Sequence, residues 1–170
     1  MPIKKNRHIK NMAQIKIMTN NFLKRVTKKN LDAKMQGKII DELFSKKAVL
    51  RGTVSQIIRK KNSVPSIKDY FEGYFSRANI PGLSVLEKTF KIVKINNNLY
   101  SNYAYVKFNI DKETKVTAVM SFLWEKDKKT NKWEILLLHS QPIHLNVPPE
   151  LIEQGDVFTS WQLPNQYFDN

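Results

Sequence analysis

The sequence predicts an α+β protein in which helices come first and an antiparallel sheet of long strands follows. Three observations carry that expectation. Apolar residues recur at steps of three and four early in the chain, at Met12, Ile15, Met18, Phe22 and Val26 and again at Leu31, Met35, Ile39 and Leu43, the spacing of a helix face. Beyond residue 83 the pattern changes to long strand-like runs separated by Asn-rich or charged turns. Runs of helices followed by runs of strands place helices on one face of an antiparallel sheet.

Residues 1–11 are polar and basic and read as a flexible arm. The first helical stripe occupies 12–26. Lys28-Lys29-Asn30 interrupts it, with Asn30 placed to cap a second helix whose stripe runs on to Phe44. Ala48 to Val54 reads as a short strand and turn, and Ile57 to Ser63 as a basic extended segment. Ser66-Ile-Lys-Asp69 is a capping-box pattern that opens a third helix carrying Tyr70, Phe71, Tyr74 and Phe75, ended by Pro81-Gly82. Strands follow over 83–94 and 100–110, joined by Asn96-Asn-Asn98, since Asn tolerates left-handed backbone. A turn at 111–114 leads to a hairpin of 115–124 and 133–142 around the charged turn 125–132.

Both hairpin strands carry large side chains on both parities. Ala118, Met120, Phe122 and Trp124 alternate with Thr117, Val119, Ser121 and Leu123. In the second strand Trp133, Ile135, Leu137 and His139 share one parity, and Leu136 and Leu138 the other. Helices cover one face only, and the second is too apolar to face water, so a second copy of the chain is expected on it. The segment 146–170, with Val157, Phe158 and Trp161, is a competing cover.

The net charge of +14 is uneven. Residues 1–47 hold 13 Lys/Arg against 3 acids, while 134–170 hold 5 acids and no Lys or Arg. A basic segment can meet nucleic acid or an acidic surface. Of 29 basic residues only 5 are Arg, which disfavours bidentate reading of phosphate or guanine. Phe22 and Phe44 are the aromatic residues of 4–47, too sparse for base stacking. Zero cysteines exclude disulfides and thiolate chemistry. No run approaches the roughly 20 apolar residues of a membrane span, and the N-terminus lacks a signal peptide's apolar core, so a cytoplasmic location is expected. His8, His139 and His144 lack metal-ligand spacing with carboxylates, and no phosphate-cradling Gly-rich loop or nucleophile elbow occurs. No metal or cofactor is expected.

Phe44-Ser-Lys-Lys-Ala-Val-Leu-Arg-Gly-Thr53, Ile67-Lys-Asp-Tyr-Phe71, Phe122-Leu-Trp124 and Trp133-Glu-Ile-Leu-Leu-Leu-His-Ser140, in that order and spacing, resemble the nuclear-transport-factor-2-like, or SnoaL-like, superfamily. The chain looks most like the association domain of calcium/calmodulin-dependent kinase II in its stand-alone bacterial form, over residues 12–145. The resemblance implies a cystatin-like cone, a curved antiparallel sheet wrapped on N-terminal helices with a pocket at its open end. It also implies dimers through the sheet face. It leaves the chemistry open, because this fold serves isomerases, cyclases, dehydratases and association modules.

His139 is the leading site candidate, an imidazole at a strand end able to donate, accept or shuttle a proton. In the resembled group a pocket-lining His stands there; Ser140 keeps the small polar residue that follows it, and Gln141-Pro142 departs from the pattern. Arg51, beside Gly52-Thr53, is a candidate for a carboxylate or phosphate. Tyr70, Tyr74, Tyr103, Tyr105 and Trp124 are aromatic candidates for a ligand pocket, against the plainer reading of core packing. The acid–base pair of the steroid isomerases has no counterpart, since Leu50-Arg51-Gly52-Thr53 holds no carboxylate. Three readings follow: a homodimeric module for association or small-molecule binding, an isomerase, cyclase or dehydratase with His139 as acid or base, and an electrostatic binder of nucleic acid or acidic surfaces.

Overall fold

The structure is a computed structural model that describes residues 2–26, 33–52, 57–71, 84–109 and 115–145. Among the described residues two helices, α1 (Pro2–Val26) and α2 (Ala33–Leu43), precede six strands, β1 (Phe44–Arg51), β2 (Ile58–Lys60), β3 (Ser84–Asn96), β4 (Leu99–Asn109), β5 (Lys115–Lys126) and β6 (Trp133–Leu145), and residues 67–71 form a further helical turn between β2 and β3. The strands form one open sheet in the order β2-β1-β6-β5-β4-β3. The α+β class stands, but the sheet is mixed. β3, β4, β5 and β6 form an antiparallel meander, while β1 lies parallel to β6. A parallel neighbour needs a long crossover, and the whole chain between β1 and β6 supplies it.

α1 is longer than its apolar stripe. The helix begins at Pro2, so residues 2–11 are helical where a flexible arm is expected. The reason is tertiary. The His8 ring stacks on Tyr100 with centroids 5.8 Å apart, its Nδ1 lies 3.0 Å from the Tyr100 hydroxyl, and Asn11 is buried one turn on. Ile15, Phe22, Leu23 and Val26 bury the middle and end of the helix, with Met12 and Met18 packed against the same core. A polar tie pins this face to β4: Asn102 Nδ2 donates to Thr19 Oγ1 at 2.8 Å, and Thr19 Oγ1 donates to the Ile15 carbonyl at 2.9 Å. Thr19 and Asn102 are both buried, so each needs that partner.

α2 stops at Leu43, and Phe44 opens β1 instead of closing the helical stripe. Lys61 Nζ reaches back to the Phe44 carbonyl at 2.8 Å and the Asp41 carbonyl at 3.4 Å, satisfying acceptors where the helix ends. The capping box is present as expected. Asp69 accepts from the Ser66 amide, and the Asp69 amide donates to Ser66 Oγ at 3.1 Å. The Ser66 amide, foremost, holds the Asp69 carboxyl below its ordinary value. A depressed carboxyl stabilises the fold above its unfolded pKa and loses that contribution as pH falls through the folded value. Asp69→Asn, which removes the carboxyl itself, is therefore expected to weaken the helical turn 67–71 at neutral pH and to flatten the acid limb of the stability curve below about pH 4, read by urea unfolding at several pH values; an unchanged acid limb would refute the assignment. Asn30, Tyr74, Phe75, Pro81-Gly82, residues 111–114 and the segment 146–170 lie outside the described residues.

Strand β6 departs from strict alternation. Its pairing with β5 passes from Ile135 opposite Trp124 to Leu137 opposite Leu123, leaving Leu136 as the extra residue of a β-bulge. Trp133 and Ile135 face the helices before the bulge, and Leu138 and Ser140 after it; all four are buried. Leu137 and His139 turn to the opposite face. The expectation that Trp133, Ile135, Leu137 and His139 share one face is corrected by that single inserted residue.

Candidate functional site

Cross-strand partners lie on the same face of a sheet, so register assigns each side chain. On the helix-covered face Leu50, Leu138, Phe122 and Asn102 form one row, all buried. One residue along every strand, the opposite face carries the row Ile58, Arg51, His139, Ser121, Tyr103 and Lys91. This outer face has no helix among the described residues. The next row toward the β5–β6 turn is Lys60, Val49, Leu137, Leu123, Ser101 and Val93, and on the other side lie Gln141, Val119, Tyr105 and Thr89. A donor-rich row thus runs between two rows holding Val, Leu and Tyr. Val93, Ile95, Tyr103, Tyr105 and Leu137 on this face stay between 37% and 55% exposed.

Arg51 and His139 are direct partners across the parallel β1–β6 pair. Their proximity is felt electrostatically: burial first, and the Arg51 guanidinium second, hold the His139 pKa below its ordinary value. The imidazole is therefore biased to the neutral form at neutral pH, with one nitrogen donating and one accepting. Ser121 and Tyr103 follow on the next strands, each with a hydroxyl.

The structure brings together Arg51, His139 and Tyr103, with Tyr105 two residues along the same face, and separates them from the remaining candidates. Trp124 is fully buried on the helix side, stacked on Phe122 at 6.0 Å and 14°. Ser140 is buried on that side too, opposite Met120. Tyr70 also packs against the helix-side core, over Gly52, with the Arg59 guanidinium 5.8 Å from its ring. Sequence reading did not single out Ser121 or Lys91. Nothing local marks them, because they join the row only through pairing with strands far along the chain. Among the described residues no group of three His, Asp or Glu is placed to hold a metal ion, and no helix is long and apolar enough to cross a membrane.

The sheet and its helices form the cystatin-like fold of known structures. Solved structures carry the assignment. One, assigned as a calcium/calmodulin-dependent protein kinase II association domain from Xanthomonas campestris, is 19% identical and superposes with a TM-score of 0.55 over 76% of this chain and 86% of its own. The hexachlorocyclohexane dehydrochlorinase LinA-type3 from Novosphingobium barchaimii is 11% identical, with a TM-score of 0.63 over 85% and 99% of the two chains. A domain of unknown function with a cystatin-like fold from Nostoc punctiforme is 14% identical, with a TM-score of 0.57 over 86% of each chain. No family model and no curated protein matches the sequence. At these identities the likeness is one of fold, shared by association domains and enzymes alike.

Proposed function

We propose that the chain is a homodimeric association module of the SnoaL-like type that also binds a small molecule, with the second copy seated on the outer face of the sheet. The observation that supports this most is the apolar content of that face. Val49, Leu137, Leu123, Val119, Val93, Tyr103 and Tyr105 occupy neighbouring register positions while the helices pack on the other side. A face of this kind on a soluble chain marks an interaction surface, and a two-fold pairs the patch with itself. The association-domain structure shares the fold.

Sedimentation equilibrium tests the reading. The expected mass is twice the 19.9 kDa of one chain at micromolar concentration. Leu137→Glu places a charge in the centre of the patch and is expected to weaken association by about 100-fold, the loss that burying an unpaired carboxylate brings. A wild-type chain that stays monomeric at those concentrations overturns the reading, as does a Leu137→Glu variant that dimerises normally.

A second reading, catalysis with His139 as acid or base, is favoured by the overlap with a dehydrochlorinase. Against it, the partners of His139 in its row are Arg51 and Ser121, neither of which is a carboxylate able to orient the ring. An elimination or dehydration assay in which the wild type turns over and His139→Ala does not would establish the enzyme.

A further inference from the structure

α1 buries one side and shows the other to solvent. Ile15, Thr19, Phe22 and Val26 set the buried side. The exposed side carries Ile9, Ala13 and Ile17, spaced by four, a stripe about 12 Å long at a helix's rise. Ile9 is 56% and Ile17 59% exposed. At about 100° per residue, Lys10 and Lys16 stand about 60° to either side of Ala13, and Arg7 lies one turn before Lys10; all three basic residues are exposed. The helix holds seven Lys or Arg and no acid. Its ion pair among the described residues is at the far end, where Arg25 Nη1 lies 2.8 Å from Glu42 Oε2.

From this arrangement we infer that the exposed face of α1 docks on a bilayer surface of anionic lipid, with Ile9 and Ile17 dipping below the headgroups and Arg7, Lys10 and Lys16 against their negative charges. An apolar stripe between basic flanks is the pattern of a helix that lies in the plane of a membrane interface. Such a helix rests on the bilayer and does not cross it. Lysine stems run along apolar surface while their amines stay with the headgroups. Each basic side chain near an anionic leaflet strengthens binding by about fivefold, and each isoleucine adds the apolar area it hides. The inference goes beyond the dimer reading and uses a different face of the molecule.

Shape and chemistry favour a membrane over other acidic partners. A nucleic-acid duplex takes up the charges but gives Ile9 and Ile17 nothing to bury against, and the stripe has no aromatic side chain for a base to stack on. An acidic peptide is held in a groove or along a sheet edge, whereas the exposed side of a single helix is convex. A bilayer is broad and soft, so it meets a convex face along its length. The helix is also already formed. Ile15, Phe22 and Val26 fix it from the other side, and His8 on Tyr100 holds its first turns. Segments that fold on binding lose part of their affinity to ordering, a loss that α1 avoids.

Co-sedimentation of the full chain with vesicles tests this, using phosphatidylcholine alone and phosphatidylcholine with about one third phosphatidylserine. Expected is binding to the anionic vesicles that weakens as salt rises from about 0.1 to 0.5 M, and binding to phosphatidylcholine alone that is weaker by about tenfold or more. Lys10→Gln with Lys16→Gln lowers affinity by about 25-fold, and Ile9→Gln with Ile17→Gln by about tenfold. All four sites are exposed, so melting temperatures are expected to hold. Lys60→Gln with Lys91→Gln removes the same charge from the opposite face of the sheet and leaves binding unchanged. The dimer proposed above carries an α1 on each of its two outer sides, so the wild type also draws anionic vesicles together, seen as turbidity, while Leu137→Glu binds without clustering them. Wild-type binding without clustering keeps the α1 surface and removes the dimer. Failure to bind anionic vesicles overturns the inference, as does equal binding to both compositions. So does an Ile9→Gln, Ile17→Gln variant that binds like the wild type, or a loss in Lys60→Gln with Lys91→Gln as large as in Lys10→Gln with Lys16→Gln. A duplex DNA oligonucleotide that binds the chain where anionic vesicles do not also overturns it, and gives the face to nucleic acid.

Discussion

Replacing Phe22 by Ala is expected to lower the unfolding free energy by about 3–5 kcal/mol, the range for emptying a buried aromatic site. Phe22 is fully buried and is the point where four parts of the chain meet. Its ring, on α1, packs edgewise on Phe44 at the start of β1 (5.9 Å, 63°), Phe71 in the helical residues 67–71 (6.2 Å, 84°) and Phe122 on β5 (5.5 Å, 80°). Edge-to-face pairs add about 0.5–1.5 kcal/mol each beyond area burial, and Ala forfeits all three. Neighbours from separate elements relax poorly into the space, which keeps the cavity cost high. For a chain of this size each kcal/mol moves the melting temperature by about 2–4 °C, so a fall of roughly 6–20 °C is expected at fixed protein concentration. Phe22→Leu, which keeps most of the volume, is expected to cost less than half as much. A Phe22→Ala variant melting within about 2 °C of the wild type, under 1 kcal/mol on that scale, would sink the claim that this ring joins the helices to the sheet.

Gly52→Ala is the second large effect, and it comes from crowding instead of emptiness. A Cβ at Gly52 would lie 2.2 Å from Cε2 and Cζ of the Tyr70 ring and 2.4 Å from its hydroxyl oxygen. Real Cβ atoms do not approach that closely, so the ring or the β1 backbone must move. The ring is not free to swing away: Phe71 packs edge-on at 5.2 Å and 86°, and the Arg59 guanidinium lies 5.8 Å from its centre. Overpacking of this kind costs about 1–3 kcal/mol or more, and Gly52→Val is expected to cost more than Gly52→Ala. The decisive measurement is a double-mutant cycle. Tyr70→Ala destabilises by itself, but in its presence Gly52→Ala becomes nearly neutral, giving a coupling of at least about 1 kcal/mol. Additive effects in urea unfolding would mean that the ring does not sit over Gly52.

These two residues mark different depths of legibility. Phe22 is plain from the sequence, because its helical spacing with Met12, Ile15, Met18 and Val26 is local. That Gly52 must be glycine is invisible there, since the ring that occupies its missing side chain comes from a separate element. The candidate site divides in the same way. His139 and Arg51 are recognisable as chemistry-bearing residues near strand ends, and Tyr103 and Tyr105 as a same-face aromatic pair. Trp124 and Ser140 look equally eligible in the sequence, yet the structure buries both on the helix side. The bulge at Leu136 accounts for the miss in β6, because one extra residue reverses the face of everything after it. The start of α1 escapes notice for a related reason: residues 2–11 have no apolar stripe, and their ordering comes from His8 on Tyr100 and from the burial of Asn11.

By itself, the amino-acid sequence determined the order of helices before strands, the strand spans to within a few residues, the Ser66–Asp69 cap and the presence of apolar residues on both faces of the hairpin. All of these are set within a few residues of each other, by side-chain period and local hydrogen bonding. Only the tertiary structure decided that β6 lies between β1 and β5, that β1 runs parallel to it, and that Arg51 therefore meets His139 on the face away from the helices. Pairing partner and register are long-range choices. Alternation says that a strand has two faces, and only its neighbours determine which of them turns inward.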